Sequence, residues 1–177
     1  MDNYPFPPDP KFIKNIQNKL FFSSYLGAKL PLGFMAGLRL DSLDAHQCSV
    51  SLPYRWRTQN PFRSIYFAAQ SMAAEMSTAA LAMLAIRSSK EDISMLVTHL
   101  EASFGKKANA RATFQCTQGE DVFWCIQKAV EGEPQTLKMT TVGSLPHTML
   151  LYVDMHAEHF LIRFACPREG VARTMST

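Results

Sequence analysis

The chain has 177 residues, enough for one domain with a sizeable core and too few for a multidomain machine. Hydrophobic residues make up 47% and charged residues 19%, a balance that excludes global disorder and leaves surface for self-association. The formal net charge of +3 is too small to imply nucleic-acid binding, so an anionic ligand would have to meet a local basic cluster.

The cysteines are Cys48, Cys116, Cys125 and Cys166, and no pair has CxxC spacing. They read as free thiols in a reducing compartment, and a cytoplasmic location is expected. Met1 to Pro10 offers neither the basic lead nor the apolar run of a signal peptide. Ser64 to Ile86 has a single charged residue in 23 positions, long enough to test as a membrane span. Gln70, Ser71, Glu75, Ser77 and Thr78 stand in its middle, so a buried helix in a soluble protein is expected instead.

A proline-rich lead, 1–10, precedes the first element. Phe12, Ile13, Ile16, Leu20 and Phe21 recur at helical spacing and predict one helix from Pro10 to Tyr25. Gly27, Pro31 and Gly33 predict a loop after it. Alternation predicts strands over 37–43 and 46–54, and basic, polar 55–63 predicts a loop. The central helix is predicted over 64–86, with Ser64 as its N-cap. It has no charged face, so other elements must wrap it. Strands are predicted over 94–104, 110–117, 122–130 and 135–142, joined as a meander by turns that include Gly105–Asn109. Alternation at Met149, Leu151, Val153 and Met155, and again at Phe160, Ile162, Phe164 and Cys166, fits two short strands or one long one. The tail 167–177 reads as mobile. All of this makes one domain over 1–177.

An antiparallel sheet wrapped around one Ala-rich helix, with an extra N-terminal helix, is the layout of an α+β hotdog fold. The segment from Asn60 through Ala68 to Glu75 resembles the signature of acyl-CoA hotdog thioesterases, in which N-x-x-G-x-x-H-G-G precedes a carboxylate nine residues beyond the His. Asn60 matches the Asn and Glu75 the carboxylate. Arg63 stands at the Gly, Tyr66 at the His and Phe67-Ala68 at the Gly-Gly. The resemblance covers about residues 35–143 and points to a thioesterase-like branch of that superfamily.

An ionised carboxylate inside an apolar helix is costly, and burial moves its pKa toward the range of a general base. Glu75 is therefore the candidate catalytic group, and its alternative is a structurally paired Glu. The resemblance implies that Asn60 orients substrate or water and that Phe67 and Ala68 supply oxyanion donors. Helix-start amides can do that. Tyr66 could donate a hydrogen bond at the site mouth. Asn60 also suits an Asn-Pro turn, and Tyr66 a core edge. Arg55, Arg57 and Arg63 flank the loop, and Arg63, Lys106 and Lys107 are candidates for the phosphates of coenzyme A.

Glu75 lies seven residues beyond Ala68, roughly 10 Å along a helix at ~1.5 Å per residue. One subunit cannot easily bring both to one carbonyl. The resemblance implies a site shared across a homodimer or a dimer of dimers. The expected function is hydrolysis of an acyl-CoA or other acyl thioester, with coenzyme A entering only as part of the substrate and no metal or other cofactor. An inactive hotdog that binds an acyl chain or acyl thioester is the competing expectation, because the motif His and glycines are replaced.

Overall fold

Asn18 divides the N-terminal helix in two. The computed structural model describes residues 4–146 and the backbone of 155–165. Helix α1 spans Pro10–Gln17 and α2 spans Lys19–Lys29, where one helix over 10–25 is expected from the spacing. Asn18 is extended, and its Oδ1 accepts the N–H groups of Leu20 and Phe21 at 3.0 and 3.2 Å. That local hydrogen bonding restarts the helix at a residue the apolar period passes over. A third helix, α3 (Pro31–Ala36), occupies the expected loop. Pro31 begins it, and Gly37 ends it at φ 78°, a conformation glycine takes without strain.

Strands β1 (Arg39–Leu43) and β2 (Cys48–Leu52) form the expected hairpin. Helix α4 runs from Phe67 to Ser89. It is followed by β3 (Ser94–Glu101), β4 (Ala112–Cys116), α5 (Gly119–Val130), β5 (Gln135–Ser144) and β6 (Met155–Ala165). All strand pairs are antiparallel, in the order β1-β2-β4-β5-β6-β3. This is the hotdog arrangement: α4 packs against β1, β2, β4, β5 and β6, and the sheet curves around it.

Two strand expectations are overturned. Residues 122–130 are helical in α5, although Val122-Phe123-Trp124-Cys125-Ile126 has strand composition. Val122, Phe123, Ile126 and Ala129 are buried at spacings of three and four, and Glu120 and Asp121 favour the helix N-terminus. β3 and β4 do not pair as a hairpin. β3 lies at the far edge of the sheet against β6, so Gly105–Asn109 belongs to a crossover. Turn residues mark where the chain bends; closing the sheet around α4 selects the partner strand. Met149, Leu151, Val153, Cys166 and the tail 167–177 lie outside the described residues.

Cys48 and Cys116 face each other across β2 and β4 as free thiols, and Cys125 is also free. Desolvation pushes Cys48 well above its ordinary value, with Cys116 and Asp44 adding to the effect, and pushes Cys116 up to about 11. Both are therefore inert packing groups at neutral pH.

Gly119 joins the β1–β2 turn to α5. Its N–H donates to the His46 carbonyl at 2.9 Å, and a Cβ there would lie 1.9 Å from the Ala45 carbonyl oxygen. Gly119→Ala must push the turn and helix apart. We expect a loss of about 1–3 kcal/mol, read as a melting temperature several degrees lower. An unchanged melting temperature would show that this contact does not hold α5 in place.

Candidate active site at the start of the central helix

Asn60, Arg63 and Tyr66 lie on the loop that leads into α4, Phe67 and Ala68 lie in its first turn, and Glu75 stands apart from them. Asn60 organises the loop. Its Oδ1 accepts the N–H groups of Phe62 and Ser64 at 3.0 and 3.1 Å, and its carbonyl accepts the Arg63 N–H at 3.0 Å. Asn60 thus shapes the turn, which is its alternative reading in the sequence. Arg63 stands at φ 59°, in the left-handed region that favours glycine. The resembled motif has Gly here, so the backbone keeps the conformation that glycine would take while presenting an exposed guanidinium.

Ser64 is not the N-cap. Its hydroxyl accepts the Ala108 N–H at 3.1 Å, and the Ile65 N–H donates to the Ala108 carbonyl at 2.7 Å. The buried Ala108 therefore clamps the 104–109 segment onto the loop. Lys106 and Lys107, both exposed, are carried next to the start of α4. Phe104 meets Phe67 edge-on at 6.2 Å between ring centres, and Phe67 meets Tyr66 at 4.8 Å.

With Ser64 engaged elsewhere, α4 starts late, at Phe67, after Tyr66 in an extended conformation and without a side-chain cap. The Tyr66 carbonyl accepts the N–H groups of Ala69 and Gln70. Among the described residues nothing accepts those of Phe67 and Ala68. These are the two positions that the motif assigns to oxyanion donors. Tyr66 and Phe67 are half exposed. Phe62, Trp56, Arg55 and Arg57 are also exposed, and the Arg57 guanidinium lies over the Trp56 ring.

Glu75 lies two turns further along α4. Burial raises its pKa above the ordinary 4.5, and the shift has no opposing charge or hydrogen bond behind it. Among the described residues no side chain pairs with it; Arg63 of the same chain does not reach it. Gln70 is a group the sequence reading passed over as a polar interruption. It is 3% exposed, its Nε2 donates to the Ile65 carbonyl at 2.9 Å, and its Oε1 is buried with no partner among the described residues. A lone Gln in an Ala-rich buried helix was the available signal.

The family model described as "Domain of unknown function (DUF4442)" matches residues 18–142, more than two thirds of the chain. No curated protein matches the sequence. Solved structures share the fold at low identity. A protein of unknown function from Chlorobaculum tepidum TLS has a TM-score of 0.68 at 11% identity, over 86% of this chain and 98% of its own. A protein of unknown function from Pseudomonas aeruginosa, named a probable thioesterase, has a TM-score of 0.66 at 15% identity, over 86% and 99%. A thioesterase of Haemophilus influenzae has a TM-score of 0.56 at 9% identity, over 88% and 95%. Sequence divergence of this size fixes the hotdog fold and nothing finer.

The raised pKa of Glu75 has a consequence for stability. A carboxyl whose folded value lies above its unfolded value binds protons better in the folded state. Stability then falls as pH rises from about the unfolded value, 4.5, through the raised folded value. Glu75→Gln should remove this fall, so the variant should melt at the same temperature as the parent in acid and at a higher one at neutral pH. A variant that melts lower at neutral pH would show that Glu75 has an ionic partner.

Proposed function

The chain belongs to the DUF4442 family, and from its hotdog fold, its uncapped α4 start and its desolvated Glu75 we propose that it hydrolyses acyl thioesters, with acyl-CoA as the substrate class. The observation that carries this reading is the pair of amides at Phe67 and Ala68, free among the described residues, beside a loop shaped by Asn60. A thioester carbonyl oxygen placed against them gains two donors aimed where negative charge develops. Glu75, whose pKa is raised by desolvation, takes a proton from water in its carboxylate form as the water oxygen attacks the carbonyl carbon. Collapse of the tetrahedral intermediate breaks the carbon–sulfur bond and expels the thiolate, which takes the proton back from Glu75, leaving the carboxylic acid and the free thiol.

Glu75 and the two amides are roughly 10 Å apart along α4, at ~1.5 Å per residue. The reading therefore pairs the amides of one subunit with Glu75 of a second, in a homodimer or a dimer of dimers. Arg55, Arg57, Arg63, Lys106 and Lys107 ring the same loop and suit the phosphates of coenzyme A. The exposed Trp56 and Phe62 suit stacking with its adenine. Asn60 acts here by shaping the loop, and Tyr66 offers a hydroxyl at the mouth. A cytoplasmic protein without a metal or resident cofactor is part of this reading.

Tyr66 at the motif His favours a second reading, a hotdog that binds acyl thioesters without cleaving them. One assay separates the two: free thiol released from a panel of acyl-CoAs, followed with a thiol dye. Hydrolysis by the parent that drops at least ~10²-fold in Glu75→Gln, with the fold intact, is the expected result. Acyl-CoA that binds but releases no thiol would establish the second reading. A monomer by light scattering at working concentration would remove the shared site.

A further inference from the structure

The N-terminal helices carry a pattern that thioester chemistry does not use. From Pro10 to Leu40 the sequence has no Asp or Glu, and it carries Lys11, Lys14, Lys19, Lys29 and Arg39. α2 turns Phe22 and Leu26 into the core. With 3.6 residues per turn, the opposite side of α2 bears Leu20, Phe21, Ser24, Gly27 and Ala28, all exposed and none charged. Lys19 and Lys29 stand at its ends. Leu30 and α3 add Leu32, Phe34 and Met35 to the exposed set; Leu20 is 81% and Leu32 72% exposed. The Phe34 ring lies 3.9 Å from where a Cβ on Gly27 would sit, so the two helices present one continuous apolar face. Beside it opens a cleft of about 660 Å³ between α2, α3 and β1. Lys19, Arg39, Arg55 and Arg111 border that cleft, and Asp41 is the one acid in its lining.

An ordinary solvent-facing helix would carry Lys and Glu together on its outer side. Large apolar residues flanked by cations, with no acid over this stretch, make the composition of a helix that lies in the interface of an anionic bilayer. No described helix is long and apolar enough to cross a membrane, so the fit is to its surface. A second copy suits the face less well. With no acid between residues 10 and 40, a second copy brings to this face nothing that would meet Lys19, Lys29 and the cations bordering the cleft.

We infer that the α2–α3 face docks the protein on an anionic phospholipid surface, with Leu20, Leu32 and Phe34 entering the headgroup boundary and Lys19, Lys29, Arg39 and Arg111 meeting lipid phosphates. The inference does not depend on the proposed hydrolysis. It is tested by sedimenting the full chain with phosphatidylcholine vesicles with and without phosphatidylglycerol. The chain should pellet with the phosphatidylglycerol vesicles, stay soluble with phosphatidylcholine alone, and be released by high salt. Each cation near an anionic surface changes partitioning about fivefold, so Lys19→Gln with Lys29→Gln should weaken binding about thirtyfold. Leu32→Ser with Phe34→Ser should weaken it at least about tenfold while the protein stays folded at the assay temperature, because Leu32 is largely and Phe34 half exposed. A full chain left in the supernatant with both vesicles, or variants that pellet like the parent, would overturn the inference. So would a parent dimer that Leu32→Ser with Phe34→Ser splits into monomers, because a second copy would then cover the face.

Discussion

Everything in this fold depends on the desolvation of α4. A helix of 23 residues with buried side chains on nearly every side cannot stand against one neighbour alone. Its Ala73, Ala74, Ala80, Ala82 and Ala85 are small enough for strands to approach closely. Val50, Leu52, Ala112, Phe114 and Met139 on β2, β4 and β5 turn inward to meet it, and α5 closes the remaining flank with Phe123 and Ile126. The sheet curves because it has a cylinder to cover. Burial then has a chemical consequence: the one carboxylate on α4 loses water, gains no partner among the described residues and binds its proton more tightly.

The start of α4 follows a different logic. Ser64 would make a good cap, yet its hydroxyl is held by the Ala108 backbone across 44 residues of sequence. That contact stabilises the crossover segment and leaves two helix-start amides without an acceptor among the described residues. Unpaired amides carry the positive end of the helix dipole, so the site attracts developing negative charge. Arg63 adds a backbone residue in the left-handed region, at a cost of order 1–2 kcal/mol for a non-glycine residue. The hydrogen bonds of Asn60 hold it there. Such local strain, held by its surroundings, is common where a loop must present backbone to a ligand.

The N-terminal helices complete the β1 edge as well as forming an outer face. Gln17 of α1 donates to the Leu43 carbonyl at 2.6 Å, which satisfies part of an edge strand, and Phe12 and Ile16 bury beneath the helix. One side of these helices is thus committed to the fold, while the other displays apolar residues, with Lys19 and Lys29 at the ends of α2. The cations of residues 10–40 have no acid among them, which a net charge of only +3 for the whole chain conceals.

The sequence by itself determined the parts that depend on local composition. The uncharged stretch around Glu75 required a wrapped helix. The alternation in 37–43 and 46–54 marked two neighbouring strands, and the spacing of Asn60, Phe67, Ala68 and Glu75 marked the loop and helix that carry the candidate site. Tertiary structure alone decided which strand pairs with which. β3 and β4 are adjacent in sequence with turn residues between them, yet they lie far apart in the sheet because its closure around α4 puts β6 and β3 side by side. It also decided that 119–130 is a helix, since a run of Val, Phe, Trp, Cys and Ile suits either state and only the surface it meets selects the period of three to four. The state of the α4 amides rests on a contact between Ser64 and Ala108 that no local rule describes. Composition and periodicity act over a few residues; strand partnership and the freedom of a backbone donor are set by groups that are distant in sequence and meet only once the core has formed.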